Sequence, residues 1–263
     1  MNGTELNVLV EKNGSVGLVT MNRPDKSNAM SPELMREMAE ALKDMAADQA
    51  IRAVVITGAG KSFSAGGDIK RDIEPLGKMS TAEFEEFFDI VDAMYLTVVD
   101  MEKPVIAAIN GYAVAGGLEL ALCCDIRIAA EDAQMGAIFI RMGLCPEVGL
   151  YLLPRLVGTG MAKLMAMTGR MVKAPEALQM GLVDVLVPPD RLLAEATQLA
   201  TRLARGPRAI SLIKKAINDS LTMDLRTFMT YSKRLTYELA HTEDHREALA
   251  AFLEKREPVF KGR

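Results

Sequence analysis

The sequence predicts a mixed α/β fold that ends in helices alone. Three observations carry this. Short β-branched or apolar runs closed by glycine recur, as in IRAVVITGAG and KPVIAAINGY. Segments with apolar residues at helical spacing alternate with them through the first three quarters of the chain, which argues for parallel strand pairing. From about Gln198 onward the pattern is helical only.

The elements follow in order. NVLVEKNGSVGLVTMN alternates apolar and polar residues around KNGS and reads as a β-hairpin. Ser31 is placed to cap a helix with Pro32 at its first position, and Met35, Met38, Leu42 and Met45 form its apolar stripe. IRAVVITGAG is a buried strand, and KSFSAGGDIKRDI a Gly-rich loop. STAEFEEFFDIVDAMYLTVVDMEK is a long amphipathic helix capped by Ser80 or Thr81. KPVIAAINGY is a second buried strand, followed by a helix over Gly116–Asp125 and a strand in DIRIAAEDAQMG. Helices dominate from about Met161, interrupted by the strand-like VDVLVPPD. The change to an all-helical tail is the best boundary, dividing a core of residues 1–197 from a helical region of 198–263.

Of the 263 residues, 49% are hydrophobic and 25% charged, ample for a sizeable core. The net charge of −4 disfavours a general nucleic-acid binder. Cys123, Cys124 and Cys145 form neither a metal spacing nor a disulfide framework, which points to a reducing, cytoplasmic setting. The N-terminal stretch has no leader-like apolar core, and no apolar run reaches membrane-spanning length. No metal or separate cofactor is indicated.

Several motifs fail. VVITGAGKS resembles the end of a P-loop, but Val55 stands where the frame needs glycine. The dinucleotide pattern begun by Gly58 and Gly60 ends on Phe63. No G-x-S-x-G elbow exists, and the only histidines, His241 and His245, lie in a charged tail.

Glu119 is the residue that asks for an explanation. In GYAVAGGLELALCCD its helix has no polar face, and a lone buried carboxylate costs several kcal/mol. Either a partner such as Arg127 or Arg141 satisfies it, or it is a carboxyl of shifted pKa at a site. SAGGDIK and NGYAVAGGLE each follow a predicted strand and each carry paired glycines. They are either two tight turns or two backbone donors that converge on one oxygen as an oxyanion hole.

Five stretches together resemble the enoyl-CoA hydratase/isomerase (crotonase) superfamily: LVTMNRPDKSNAMS, VVITGAGKSFSAGGDIK, KPVIAAINGYAVAGGLELALCCDIRIAAEDAQMG, GLCPEVGLYLLPRLVG and FLEKREPVF. They keep the family's order and cover nearly the whole chain. The resemblance implies a spiral of ββα units, a C-terminal helical region that builds trimers or dimers of trimers, and an acyl-CoA thioester substrate, with coenzyme A as part of that substrate. It implies that the amides of Gly67 and Gly116 hold the thioester oxygen. It also implies adenine contacts near Ala65, Asp68 and Ile69, a phosphate contact from Lys26, and a role for Phe260 and Lys261 at a neighbour's nucleotide.

Family hydratases pair two glutamates. Glu119 matches one; Phe139 occupies the position of the other. Glu147 supplies a second acid where double-bond isomerases often carry one. The expectation is therefore an enoyl-CoA or dienoyl-CoA isomerase, with Glu147 moving the proton, Glu119 assisting, and Phe139 as an apolar wall. An enoyl-CoA hydratase, including one for cyclic or dienoyl substrates, is the alternative. A non-catalytic scaffold or RNA binder is a distant third, suggested by the basic run Arg202–Lys215.

Overall fold

A computed structural model describes residues 6–263. The N-terminal five residues, part of the stretch read for a leader, lie outside it. β1 (Val8–Asn13) and β2 (Val16–Met21) form the expected antiparallel hairpin, with Asn13 opposite Val16. α1 (Pro32–Ala47) starts as predicted: the Ser31 hydroxyl accepts the Leu34 N–H at 3.3 Å, and Met35, Met38, Leu42 and Met45 are buried.

The chain then winds through two sheets. β3 (Ala53–Gly58) adds in parallel to β2, and β4 (Ser62–Ser64) starts a second sheet. A wide helical turn, Ile69–Ile73, and the single turn α2 (Glu74–Leu76) lead to α3 (Thr81–Asp100). Ser80 and Glu83 close a capping box at the start of α3. β5 (Val105–Ile109) returns to the first sheet, β6 (Tyr112–Val114) to the second, and α4 (Gly116–Cys123) closes that turn. β7 (Ile126–Ala130) and β8 (Gln134–Gly136) repeat the alternation.

The remaining elements are α5 (Val148–Thr168), β9 (Val172–Lys173), α6 (Ala174–Gln179), β10 (Val185–Val187), α7 (Leu192–Ala204), α8 (Ala209–Ser220), α9 (Leu225–Ala240) and α10 (Glu243–Glu254). The large sheet runs β1-β2-β3-β5-β7-β10 and the small one β4-β6-β8-β9. After the β1–β2 hairpin, each successive pair of strands supplies one strand to each sheet, which is the spiral of ββα units.

Three segments differ from expectation. DIRIAAEDAQMG holds two strands in different sheets, the Gly-rich loop contains β4, and helix begins at Val148, well before Met161. Three-residue strands are too short to show a two-residue period, and α5 bends at Gly158, where φ is +77°, which blurs its helical stripe.

α7 lies on β3 and β5 through buried Ala196, Ala200 and Ala204, so the division expected at 197 falls inside one helix. α8 to α10 leave the sheets. Lys214 anchors α8: its ammonium lies 2.9 Å from Asp125 and bonds the carbonyls of Val98 and Lys103. Arg208 and Lys215 pair with Glu238 and Asp219. Much of the basic run is therefore engaged within the chain, which weakens the RNA-binding alternative. None of the described helices is long and apolar enough to cross a membrane.

Candidate active site

Three neighbouring strand ends build the site. β4, β6 and β8 pair in parallel, Ser64 opposite Ala113 and Val114 opposite Gly136. Their C-terminal ends therefore deliver Ala65–Gly67, Ala115–Gly116 and Ala137–Met142 side by side. A cavity of about 680 Å³ opens there, lined by these segments and by apolar side chains of α3.

Two amides face it. Gly67 bridges Met30 in parallel, but the bridge bonds run from Met30 N to Gly66 O and from Asp68 N to Met30 O. The N–H of Gly67 therefore points away from Met30. Gly116 opens α4, where an N–H has no partner within the helix. Ala115 is held at φ +48°, an unusual value for alanine that costs of order 1–3 kcal/mol. Its own N–H donates to Gly136 O at 2.9 Å, so the strain fixes where the next amide points. The two loops touch: a Cβ on Gly66 would stand 2.8 Å from that of Ala115 and 3.4 Å from Gly116 N.

Glu119 lies one turn into α4 and is 2% exposed. Neither expected arginine satisfies it, because Arg127 binds Asp184 and Arg141 binds the Gly169 carbonyl. Instead its Oε1 accepts the N–H groups of Glu147 (2.7 Å) and Gly149 (2.8 Å) at the start of α5. The Tyr95 hydroxyl, which donates to Gly116 O at 3.1 Å, lies 3.5 Å from the other oxygen. Burial pushes the carboxyl up to about 7, against the pull of these donors.

Glu147 lines the same cavity, with the residue as a whole exposed and its carboxyl partly desolvated. Burial, then the charges of Glu119, Asp92 and Asp72, raise its carboxyl to about 8. An acyl group filling the cavity would remove more water and push the same way. Phe139, Met142 and Leu144 supply apolar lining of the same cavity.

The other predicted residues divide. Ala65 and Ile69 line the cavity; Lys26, Asp68, Phe260 and Lys261 do not. Lys26 is exposed beside the rim, since Ala65 N donates to Ser27 O next to it. Asp68 corrects the expectation of a backbone contact. Its N–H goes to Met30 O, its carbonyl accepts from Asp72 and Ile73, and its carboxylate pairs with Arg23 at 3.0 Å. No backbone group of Asp68 is left for a nucleotide. Lys261 N donates to Asp244 at 2.7 Å, folding the C-terminal arm that carries Phe260 against α10.

Sequence reasoning missed Asp72 and Tyr95. Tyr95 sits in the α3 stripe like any core residue. Asp72 lies in a wide helical turn that gave no periodic signal, and only the fold turns it inward.

Comparison with known proteins agrees with this architecture. The family model "Enoyl-CoA hydratase/isomerase" matches residues 11–263. The chain is 40% identical over 261 residues to a short-chain-enoyl-CoA hydratase of Clostridium acetobutylicum, covering 98% of each chain. It is 38% identical over 257 residues to a crotonyl-CoA hydratase of Syntrophomonas wolfei, covering 97% of each. Among solved structures, an enoyl-CoA hydratase from Bacillus anthracis superposes with a TM-score of 0.92 at 35% identity, over 98% of this chain and 100% of that one. Winding, strand-end loops and near full-length similarity point the same way, and the chain belongs to the enoyl-CoA hydratase/isomerase family.

Proposed function

We propose that this protein hydrates an enoyl-CoA thioester. The observation that carries the reading is one cavity holding two open amides, of Gly67 and Gly116, together with two carboxyls, Glu119 and Glu147, both raised first by burial. Addition of water to the β-carbon drives charge onto the thioester oxygen, and preorganised N–H donors stabilise it there. Glu119 takes a proton from water as the water oxygen bonds the β-carbon. Glu147 gives its proton to the α-carbon. The names of the relatives support hydration.

Double-bond isomerisation is the second reading, and a specific observation favours it. Phe139 lines the same cavity as Glu147 and presents carbon where the family resemblance implies a second water-holding carboxyl. Carboxyls flanking an acyl chain can take a proton from one of its carbons and return it to another. This ranking reverses the sequence expectation, because the relatives' names weigh toward hydration. Incubation of 2-enoyl- and 3-enoyl-CoAs in heavy-oxygen, deuterated water separates the two. Label in a 3-hydroxyacyl product supports hydration. Deuterium at the α and γ carbons without heavy oxygen replaces it with isomerisation, and neither label removes both.

The exposed apolar residues of α8 to α10, including Ile213, Ile217, Met229 and Phe252, support assembly of identical chains as a trimer or a pair of trimers. In such an assembly the arm bearing Phe260 and Lys261 is available to a neighbour's nucleotide.

A further inference from the structure

One carboxyl in the cavity has no task in either reaction. Asp72 is 8% exposed and lines the cavity with the amide of Gly67, yet its side chain makes no hydrogen bond or ion pair with any described residue. Its position is fixed. The Asp72 N–H donates to Asp68 O at 2.8 Å, and Oδ2 fills the space of a side chain on Gly67, 2.2 Å from where a Cβ would stand. Ile73 lies next to it beside Gly67, and Leu76, Phe87 and Val91 line the same cavity. The Asp72 carboxyl oxygens are open to the cavity, so an apolar acyl group filling that space would bury them unpaired, at a cost of about 1–3 kcal/mol that an apolar residue at this position would avoid.

We propose that Asp72 is the polar anchor for the acyl group, and that the substrate is an enoyl-CoA whose acyl part carries an oxygen substituent — a keto, ether or hydroxyl oxygen. The inference rests on the enoyl-CoA reading above and narrows its substrate class. The carboxyl lies beside an amide that would hold a developing negative oxygen, so the useful form is the neutral acid, which donates its O–H to the substituent. Burial, followed by the nearby charge of Asp68, raises this group to about 7 and favours that form. A site built to hydrogen-bond such an oxygen discriminates against the bare hydrocarbon, because the carboxyl is then buried unpaired.

The test uses the full-length protein with straight-chain enoyl-CoAs and the same chains bearing a keto or hydroxyl group at each successive carbon beyond the double bond. For at least one position the wild type should prefer the oxygenated substrate by about tenfold or more in kcat/KM. In Asp72→Leu the ratio should fall to about one, and Asp72→Asn, which retains a donor, should restore part of it. Turnover of hydrocarbon substrates with no oxygenated position preferred overturns this inference and leaves the enoyl-CoA reading standing. So does an Asp72→Leu variant that loses both classes equally. Silence with every substrate overturns the enoyl-CoA reading and this inference together.

Discussion

Oε1 of Glu119 accepts the backbone N–H of Glu147 at 2.7 Å, so one candidate acid holds the segment that carries the other. The link crosses from α4 to the start of α5, and the N–H of Gly149 doubles it at 2.8 Å. The carboxylate thus lies against the positive end of a helix, which partly offsets its burial.

Glu119→Gln keeps an oxygen acceptor for both amides while removing the titrating group. Turnover of an enoyl-CoA should fall about 10²–10⁴-fold with little change in melting temperature. The Glu119 charge also raises Glu147, so the alkaline limb of any residual rate, set by the protonated Glu147, should move to lower pH. Steady-state pH profiles and thermal melts check this. An unchanged kcat would remove Glu119 from the chemistry.

Gly149→Ala tests the clamp without touching an acid. A Cβ there would stand 2.7 Å from Glu119 Oε1 and 3.3 Å from the Pro146 Cβ, so the carboxylate must move. The expected result is a loss of kcat about as large as that of Glu119→Gln. Since a shift near 1 Å in a catalytic group can cost about a hundredfold, a tenfold loss or less would contradict it.

Folding stability should fall as pH rises from about 5 to 8. Asp72, Glu119 and Glu147 are raised to about 7, 7 and 8, so the folded chain retains protons that the unfolded chain has released. The stabilisation is complete below the unfolded values and is lost through the folded ones. Glu247, lowered to about 2 by Arg256, acts in the opposite sense only below this window. Urea unfolding across the range should show the decline, and Asp72→Asn should flatten it. A rise in stability over the same range would contradict the assignment.

Lys214→Ala should destabilise the protein by about 2 kcal/mol or more. It leaves the buried Asp125 carboxylate with only the Val105 N–H, and strands the carbonyls of Val98 and Lys103. Denaturant midpoints measure it, and a change under 0.5 kcal/mol, the usual range for a surface substitution, would show that α8 does not depend on the anchor.

Much of this was legible in the chain itself. The Ser31 and Ser80 caps, the hairpin at KNGS and the buried runs before Gly58 and Asn110 are local signals, decided by residues within one or two turns of each other. Glu119 was legible as an anomaly for the same reason: a carboxyl in an all-apolar helix shows in the sequence before any partner is known. Glu147 and Phe139 acquired meaning only through family resemblance, since an exposed loop acid and a lone aromatic carry no signal of their own.

Composition, periodicity and capping determined the longer strands and most of the helices, though not the three-residue strands β4 and β8 or the start of α5, and showed that one helix buries a charge. Only the tertiary structure decided that β4 and β6 end side by side, that the amides of Glu147 and Gly149 rather than an arginine hold Glu119, and that Asp72 turns into the cavity. The reason is distance along the chain. A helix or a cap forms from neighbours, whereas Gly66 meets Ala115, and Glu119 meets Gly149, across about thirty to fifty intervening residues, and residue spacing alone does not encode those approaches.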